Sequence, residues 1–165
     1  MASGGRTRVG DEDGTFDRGR TAVVWFKRDL RLHDHRPLVE AARDHRVIPL
    51  FIEEDDLWRR DGIGAATLEV GLGCEANLDR ELRSLGGRLV IRRGDAVEVL
   101  ERLHAEVPFE EIHAHEETGG PSTWERDRAV AAWCAEHRVA FHEQPQHGVI
   151  RRLGSRDGWA ARWSR

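Results

Sequence analysis

The sequence predicts an α/β fold, a doubly wound five-stranded parallel sheet with helices on both faces. Short continuous apolar runs recur along the chain, which is how strands buried on both faces read. Segments with helical apolar spacing separate these runs. The connections are short, and strand–helix–strand repeats of that kind imply right-handed crossovers into one parallel sheet. Such sheets bind ligands at the carboxyl ends of their strands, where the strand order reverses.

Residues 1–20, rich in Gly, Arg and Asp and poor in large apolar side chains, read as a disordered tail. The α/β domain is expected to run over 21–147. Its strands are "AVVWF" (22–26), "VIPLFI" (47–52), "RLVI" (88–91), "EIHA" (111–114) and "VAFH" (139–142). After the first strand, Leu38, Ala41, Ala42 and His45 share a helical face, with Asp34 placed to cap it. The segment 66–85 puts Leu68, Leu72, Leu78 and Leu82 on one stripe. Glu75 falls within that stripe, and Gly71 and Gly73 lie inside the helix, at ~1 kcal/mol each relative to alanine. An unpaired buried carboxylate costs more, so Glu75 is expected to find a partner, shift its pKa or splay what should be the weakest helix. In "GDAVEVLERLH", Asp95 with Glu98 forms a capping-box pattern, and Leu100 and Leu103 face inward. In "PSTWERDRAVAAWCAEH", Ser122 stands in the same relation to Glu125, with Val130, Trp133, Cys134 and His137 inward.

The chain of 165 residues is long enough for one domain with a real core. Its charged fraction of 34% points to a hydrated surface, and no apolar run approaches the ~20 residues that span a bilayer. The first residues lack the apolar stretch of a secretory signal. A formal net charge of -4 gives no global attraction to nucleic acid. Cys74 and Cys134 lie far apart within helical patterns, which argues against a disulfide framework and suits a cytoplasmic location.

The first strand runs straight into charge, "KRDLR". Lys27, Arg28, Asp29 and Arg31 either line the switch-point crevice or act as scaffolding, with the arginines paired to Asp29 or Asp34. Trp25 and Phe26 read as core. "HAHEETGG" places His115, Glu116 and Glu117 after the fourth strand, with Gly119 and Gly120 allowing close backbone approach. His113 and His115 alternate on that strand, but no further ligand lies at useful spacing, so no metal site is expected. "EEDD" (53–56) reads as a solvated loop, and "GIGAAT" (62–67) is too weak a glycine pattern to count. There is no GxGxxG and no GxxxxGK[ST] to cradle phosphate.

"VVWFKRDLRLHDHRPL" closely resembles the opening strand and loop of DNA photolyases and cryptochromes. "VIPLFIEEDDLW", "LRSLGGRLVIRRGDAVEVLERL" and "HAHEETGGPSTWERDRAVAAWC" resemble their second, third and fourth strands with flanks, so the likeness covers nearly all of 21–165. It departs at Glu75, where relatives have a large apolar residue, in "GAATLEVGLGCE", which lacks their aromatic, and at His35, where Asn is common.

The resemblance implies the N-terminal domain of a flavoprotein that repairs pyrimidine dimers with light, a carbon–carbon lyase. The α/β domain of such proteins holds an antenna chromophore, a folate or a deazaflavin. A helical domain holds FAD and the flipped lesion. Candidate pigment-binding residues are then Phe26, Lys27, Arg28, Asp29 and Arg31 after the first strand, and His115, Glu116 and Glu117 after the fourth. Segment 148–165 is similar to the start of the connector to the helical domain. Its arginines and Trp159 and Trp163 are expected to dock on that domain or a separate subunit, or alternatively to touch nucleic acid. Nothing here resembles the FAD-binding helices, so the chain alone is expected to be inactive, an antenna-binding or vestigial fragment that meets damaged DNA only through the full-length protein. The alternatives are a cryptochrome-type signalling fragment that binds a protein partner, and a small nucleotide-binding protein of flavodoxin-like shape.

Overall fold

Strand β1 (Thr21–Phe26) is buried from Ala22 onward, and its alternating side chains feed two separate cores. The computed structural model describes residues 19–60 and 65–146. Residues 1–18 of the tail expected over 1–20, part of "GIGAAT", and the basic Arg/Trp segment from 148 lie outside the described residues. β1 pairs on one side with β2 (Arg46–Glu53) and on the other with β4 (Glu111–His115). β3 (Val90–Arg93) and β5 (Ala140–Gln144) form the edges. All pairings are parallel and the order is β3-β2-β1-β4-β5, so the order reverses between β1 and β4. Among the described residues five helices accompany the strands: α1 (Arg36–Asp44), α2 (Asp55–Arg60), α3 (Ala65–Ser84), α4 (Ala96–Glu106) and α5 (Pro121–His137).

One core joins Val23, Trp25, Leu50 and Ile112 to Leu100 and Leu103 of α4 and Val130 and Trp133 of α5. The other joins Ala22, Val24, Phe26 and Phe51 to Ala41 of α1 and Leu78 and Leu82 of α3. The expected doubly wound α/β architecture is therefore present, with helices packed on both faces. No described helix is long and apolar enough to cross a membrane.

The differences from expectation lie at element ends. α1 is capped by His35, whose Nδ1 accepts from the Leu38 N–H at 3.1 Å, and not by Asp34. Asp34 adopts a positive φ of 53° and turns the chain ahead of the cap. Ala42 is exposed; Pro37 and Ala41 form the buried face instead. Asp95 caps α4 as expected, accepting from Val97 and Glu98. α5 has Gly120 as cap and Pro121 in its first turn, so Ser122 is already inside the helix. β3 begins two residues late because Leu89 drops into the α3-side core and donates its N–H to Asp79 at 2.9 Å. "EEDD" is no solvated loop: Glu54 is buried, and Asp55 and Asp56 open α2, where their charge suits the helix N-terminus.

In α3, Leu78 and Leu82 are buried as the stripe predicts; the side chains of Leu68 and Leu72 lie outside the described residues. Glu75 is 5% exposed, and among the described residues no hydrogen bond or ion pair reaches it. Burial, and then the Glu53 charge, push its carboxyl above the usual range. A carboxyl raised in the folded state costs stability wherever the unfolded chain ionises, from about pH 4 upward. Replacing Glu75→Gln is therefore expected to raise the melting temperature by about 2–4 °C at pH 7.5, a gain that vanishes toward pH 4, as thermal unfolding at the two pH values would show.

Candidate functional site at the strand carboxyl ends

The loops after β1 and β4 meet where the strand order reverses. Asp29 closes the floor there. It is 2% exposed and its Oδ1 accepts from the Lys27 backbone N–H at 2.9 Å. Its Oδ2 binds His35 Nε2 at 2.7 Å and His115 Nδ1. Because His35 Nδ1 already accepts from Leu38, its proton is on Nε2, and that nitrogen donates to Asp29. Ligand atoms of Asp29, His35 and His115 lie within 4.8 Å of one another, but both nitrogens of His35 and both oxygens of Asp29 are already matched by hydrogen bonds. Burial works against the Asp29 charge; hydrogen bonds from His115, His35 and the Lys27 N–H outweigh it and hold the carboxyl well below its usual range.

A second network lies beside it, centred on Arg126. Its guanidinium donates to Glu54 at 2.7 Å, to Glu117 at 3.1 Å and to Asp127 at 2.8 and 2.9 Å. Lys27 Nζ donates to the other Asp127 oxygen at 2.7 Å, and both side chains are 4% exposed. The two cations lie over the Trp25 ring, Arg126 at 4.8 Å and Lys27 at 5.0 Å from its centroid. Burial opposes the Arg126 charge, but Glu54 and Asp127 more than compensate and strengthen it. Burial pushes the Glu54 carboxyl up despite Arg126.

The β4 loop hangs on Glu117, whose Oε1 accepts from the Thr118 and Gly119 N–H groups at 2.9 and 2.7 Å. A Cβ at position 119 would fall 2.8 Å from Thr123 Oγ1 and into the Arg28 guanidinium, so both side chains would have to shift. Arg28, with 57% of its side chain exposed, lies 3.6 Å from Glu117. Of the remaining expected residues, Phe26 is wholly buried with its ring 4.5 Å from that of His35. Arg31 is half-buried and donates its backbone N–H to the Asp29 carbonyl at 2.6 Å. Glu116 is half-buried and donates its backbone N–H to the Gln144 carbonyl at 2.8 Å.

The structure thus brings Lys27, Arg28, Asp29, His115 and Glu117 together as a charged floor. The open space is on its flank. A groove of about 380 Å³ runs along the carboxyl ends of β2 and β3, bounded by Glu54, Arg59, Arg93, Gly94, Arg126 and Ala129. Gly94 has φ 134°, a conformation that L side chains rarely adopt, and its N–H donates to the Glu53 carbonyl. Sequence reasoning missed Glu54, Arg126 and Asp127. A signal existed: Thr123, Asp127, Val130 and Cys134 share one helical stripe, so Asp127 is a charge in an apolar row, as Glu75 is in α3.

A family model described as DNA photolyase matches residues 22–155. The chain belongs to the DNA photolyase family. It is 34% identical over 134 residues to cryptochrome-1 of Anopheles gambiae, covering 76% of this chain and 24% of that protein. It is 41% identical over 93 residues to a deoxyribodipyrimidine photo-lyase of Streptomyces griseus, covering 56% and 20%. The chain spans about a quarter of the length of these curated relatives and corresponds to the N-terminal α/β domain of photolyases and cryptochromes. Among solved structures, a Sulfolobus tokodaii photolyase with two FAD molecules, implicating a novel light-harvesting cofactor, superposes with a TM-score of 0.69 at 28% identity, over 76% of this chain and 29% of that one. An Agrobacterium tumefaciens class III photolyase shares the fold with a TM-score of 0.66 at 22% identity, over 90% and 30%.

Removing the Asp29 charge tests the floor. Asp29→Asn is expected to cost about 2–4 kcal/mol at pH 7, read by denaturant unfolding. Because the folded pKa is depressed, the stabilisation is complete above the ordinary carboxylate value of about 4 and is lost as the pH falls through and below it. The gap between variant and parent therefore narrows steadily from pH 4 to pH 2.

Proposed function

We propose that this domain is the light-harvesting part of a photolyase or cryptochrome and holds an antenna chromophore in the groove beside Arg126. The observation that carries this is a preformed recess at strand carboxyl ends, next to the switch point, of about 380 Å³. That volume falls within the range of small-molecule sites, about 300–1,000 Å³. A folate, a deazaflavin or a flavin nucleotide joins a flat conjugated head to an anionic tail. Arg59 and Arg60 offer guanidinium donors for such a tail, with Leu57 and Ala129 as the apolar part of the wall, while Arg93 is held by Asp55 and five carboxylates share the lining. The fit is thus one of size, with the two α2 arginines as the tail's partners. When bound, the pigment would absorb light and pass excitation energy to FAD on a helical domain. In this reading FAD and damaged DNA are handled by that helical domain or a separate subunit, while Arg126, Lys27 and the carboxylates around them keep the groove wall fixed.

The test is reconstitution of the purified chain with 8-hydroxy-5-deazaflavin, methenyltetrahydrofolate and FAD in turn, followed by absorbance and fluorescence. One of the three is expected to bind with a shifted absorption band. Ala129 is exposed on the groove wall and outside the charge network. Ala129→Trp is therefore expected to weaken that binding about tenfold or more with little change in melting temperature. Failure of all three pigments to bind, or binding indifferent to Ala129→Trp, would overturn the proposal.

A further inference from the structure

The fold separates the two histidines of β4. His115 goes to Asp29, whereas His113 joins a cluster at the other end of the strand, on the α1 side of the sheet. His45 arrives from the C-cap of α1, Glu111 opens β4, and His142 is the register partner of His113 on β5. All three imidazoles direct Nε2 toward the Glu111 carboxylate: His113 at 2.9 Å, His142 at 3.3 Å and His45 at 3.5 Å. The side chains of His45 and His113 are 6% and 7% exposed, and that of His142 is 45% exposed, which leaves an approach from solvent.

The hydrogen bonding is incomplete. Neither nitrogen of His45 has a partner, and His113 Nδ1 has none either, although all three atoms are buried. A neutral imidazole must place its proton on one nitrogen and its lone pair on the other, and burying them unmatched is costly. The cluster is therefore unlike Asp29 and His35, whose donors and acceptors match.

We propose that His45, Glu111, His113 and His142 form a binding site for a zinc-class divalent cation, on the sheet's α1-facing side and apart from the pigment groove. One coordinating atom each from His45, Glu111 and His113 lies within 4.8 Å of the others. A tetrahedral zinc ion with bonds of about 2.0–2.1 Å needs ligand atoms about 3.3 Å apart, and the three imidazole–carboxylate separations of 2.9, 3.3 and 3.5 Å bracket that value. Three imidazoles and a carboxylate are borderline donors that favour Zn2+ over Mg2+ or Ca2+. The cation would clamp the end of α1 to the paired strands β4 and β5.

The experiment uses the untagged full chain, stripped with chelator and titrated with Co2+ and then Zn2+. One equivalent of Co2+ is expected to bind and give the intense visible absorption of a tetrahedral site, and Zn2+ is expected to displace it. His45→Ala and Glu111→Gln should each weaken Co2+ binding about 100-fold, while His33→Ala, an exposed position, leaves it unchanged. Should a variant fail to fold, long-range 1H–15N spectra of the unaltered chain decide the matter. Zn2+ is expected to shift the Nε2 resonances of His45, His113 and His142 and to leave those of His104 and His137 in place. No stoichiometric binding, or shifts confined to other histidines, would overturn the proposal.

Discussion

Seven charged side chains converge beneath the carboxyl ends of β1, β2 and β4, and the six that are buried can be so only by neutralising one another. Lys27, Arg28 and Arg126 face Asp29, Glu54, Glu117 and Asp127, and the histidines on Asp29 take up the remaining negative charge by hydrogen bonding. An ion taken out of water costs several kcal/mol, and only close geometry with saturated hydrogen bonds returns it. Each loop therefore has one arrangement that satisfies its neighbours. The Lys27–Asp127 pair joins the β1 loop to α5, and Arg126 joins α5 to the end of β2 and to the β4 loop.

That rigidity bears on the proposed role. Transfer of excitation energy depends on how a pigment is held relative to its acceptor, so a pigment site benefits from walls that do not rearrange. Glu54 and Arg126 belong both to the network and to the groove wall. Trp25 lies under both cations with 1% exposure, which ties the wall to the core of the sheet. The groove-facing arginines of α2 are different. Arg59 is paired only to a helix neighbour and is largely exposed, so it can turn to a ligand at little cost.

The fold was legible because burial on both faces writes itself into consecutive residues: Val23, Val24, Trp25 and Phe26 need no partner elsewhere in the chain to be recognised as a central strand. The ends were less legible. Asp34 and Ser122 are good capping residues by type, but a left-handed turn at Asp34 and the fixed φ of Pro121 moved the caps to His35 and Gly120. The candidate site was half legible. Lys27, Asp29, His115 and Glu117 follow strands, so topology marks them. Arg126 and Asp127 come from the second turn of a helix about 100 residues from Lys27; Asp127 stands out as a charge in an apolar row, but only the tertiary fold reveals what answers it. The histidine cluster is hidden for the same reason, since His45, His113 and His142 share no short spacing.

The double-mutant cycle on Lys27 and Asp127 tests the mutual-neutralisation account most directly. Lys27→Met and Asp127→Asn each leave one buried charge less well matched, so each alone should be strongly destabilising in denaturant unfolding at pH 7. Together they should cost less than the sum of the two, by about 2 kcal/mol or more. Additivity within about 0.5 kcal/mol would contradict the account, because it would mean that the floor does not depend on these charges answering each other.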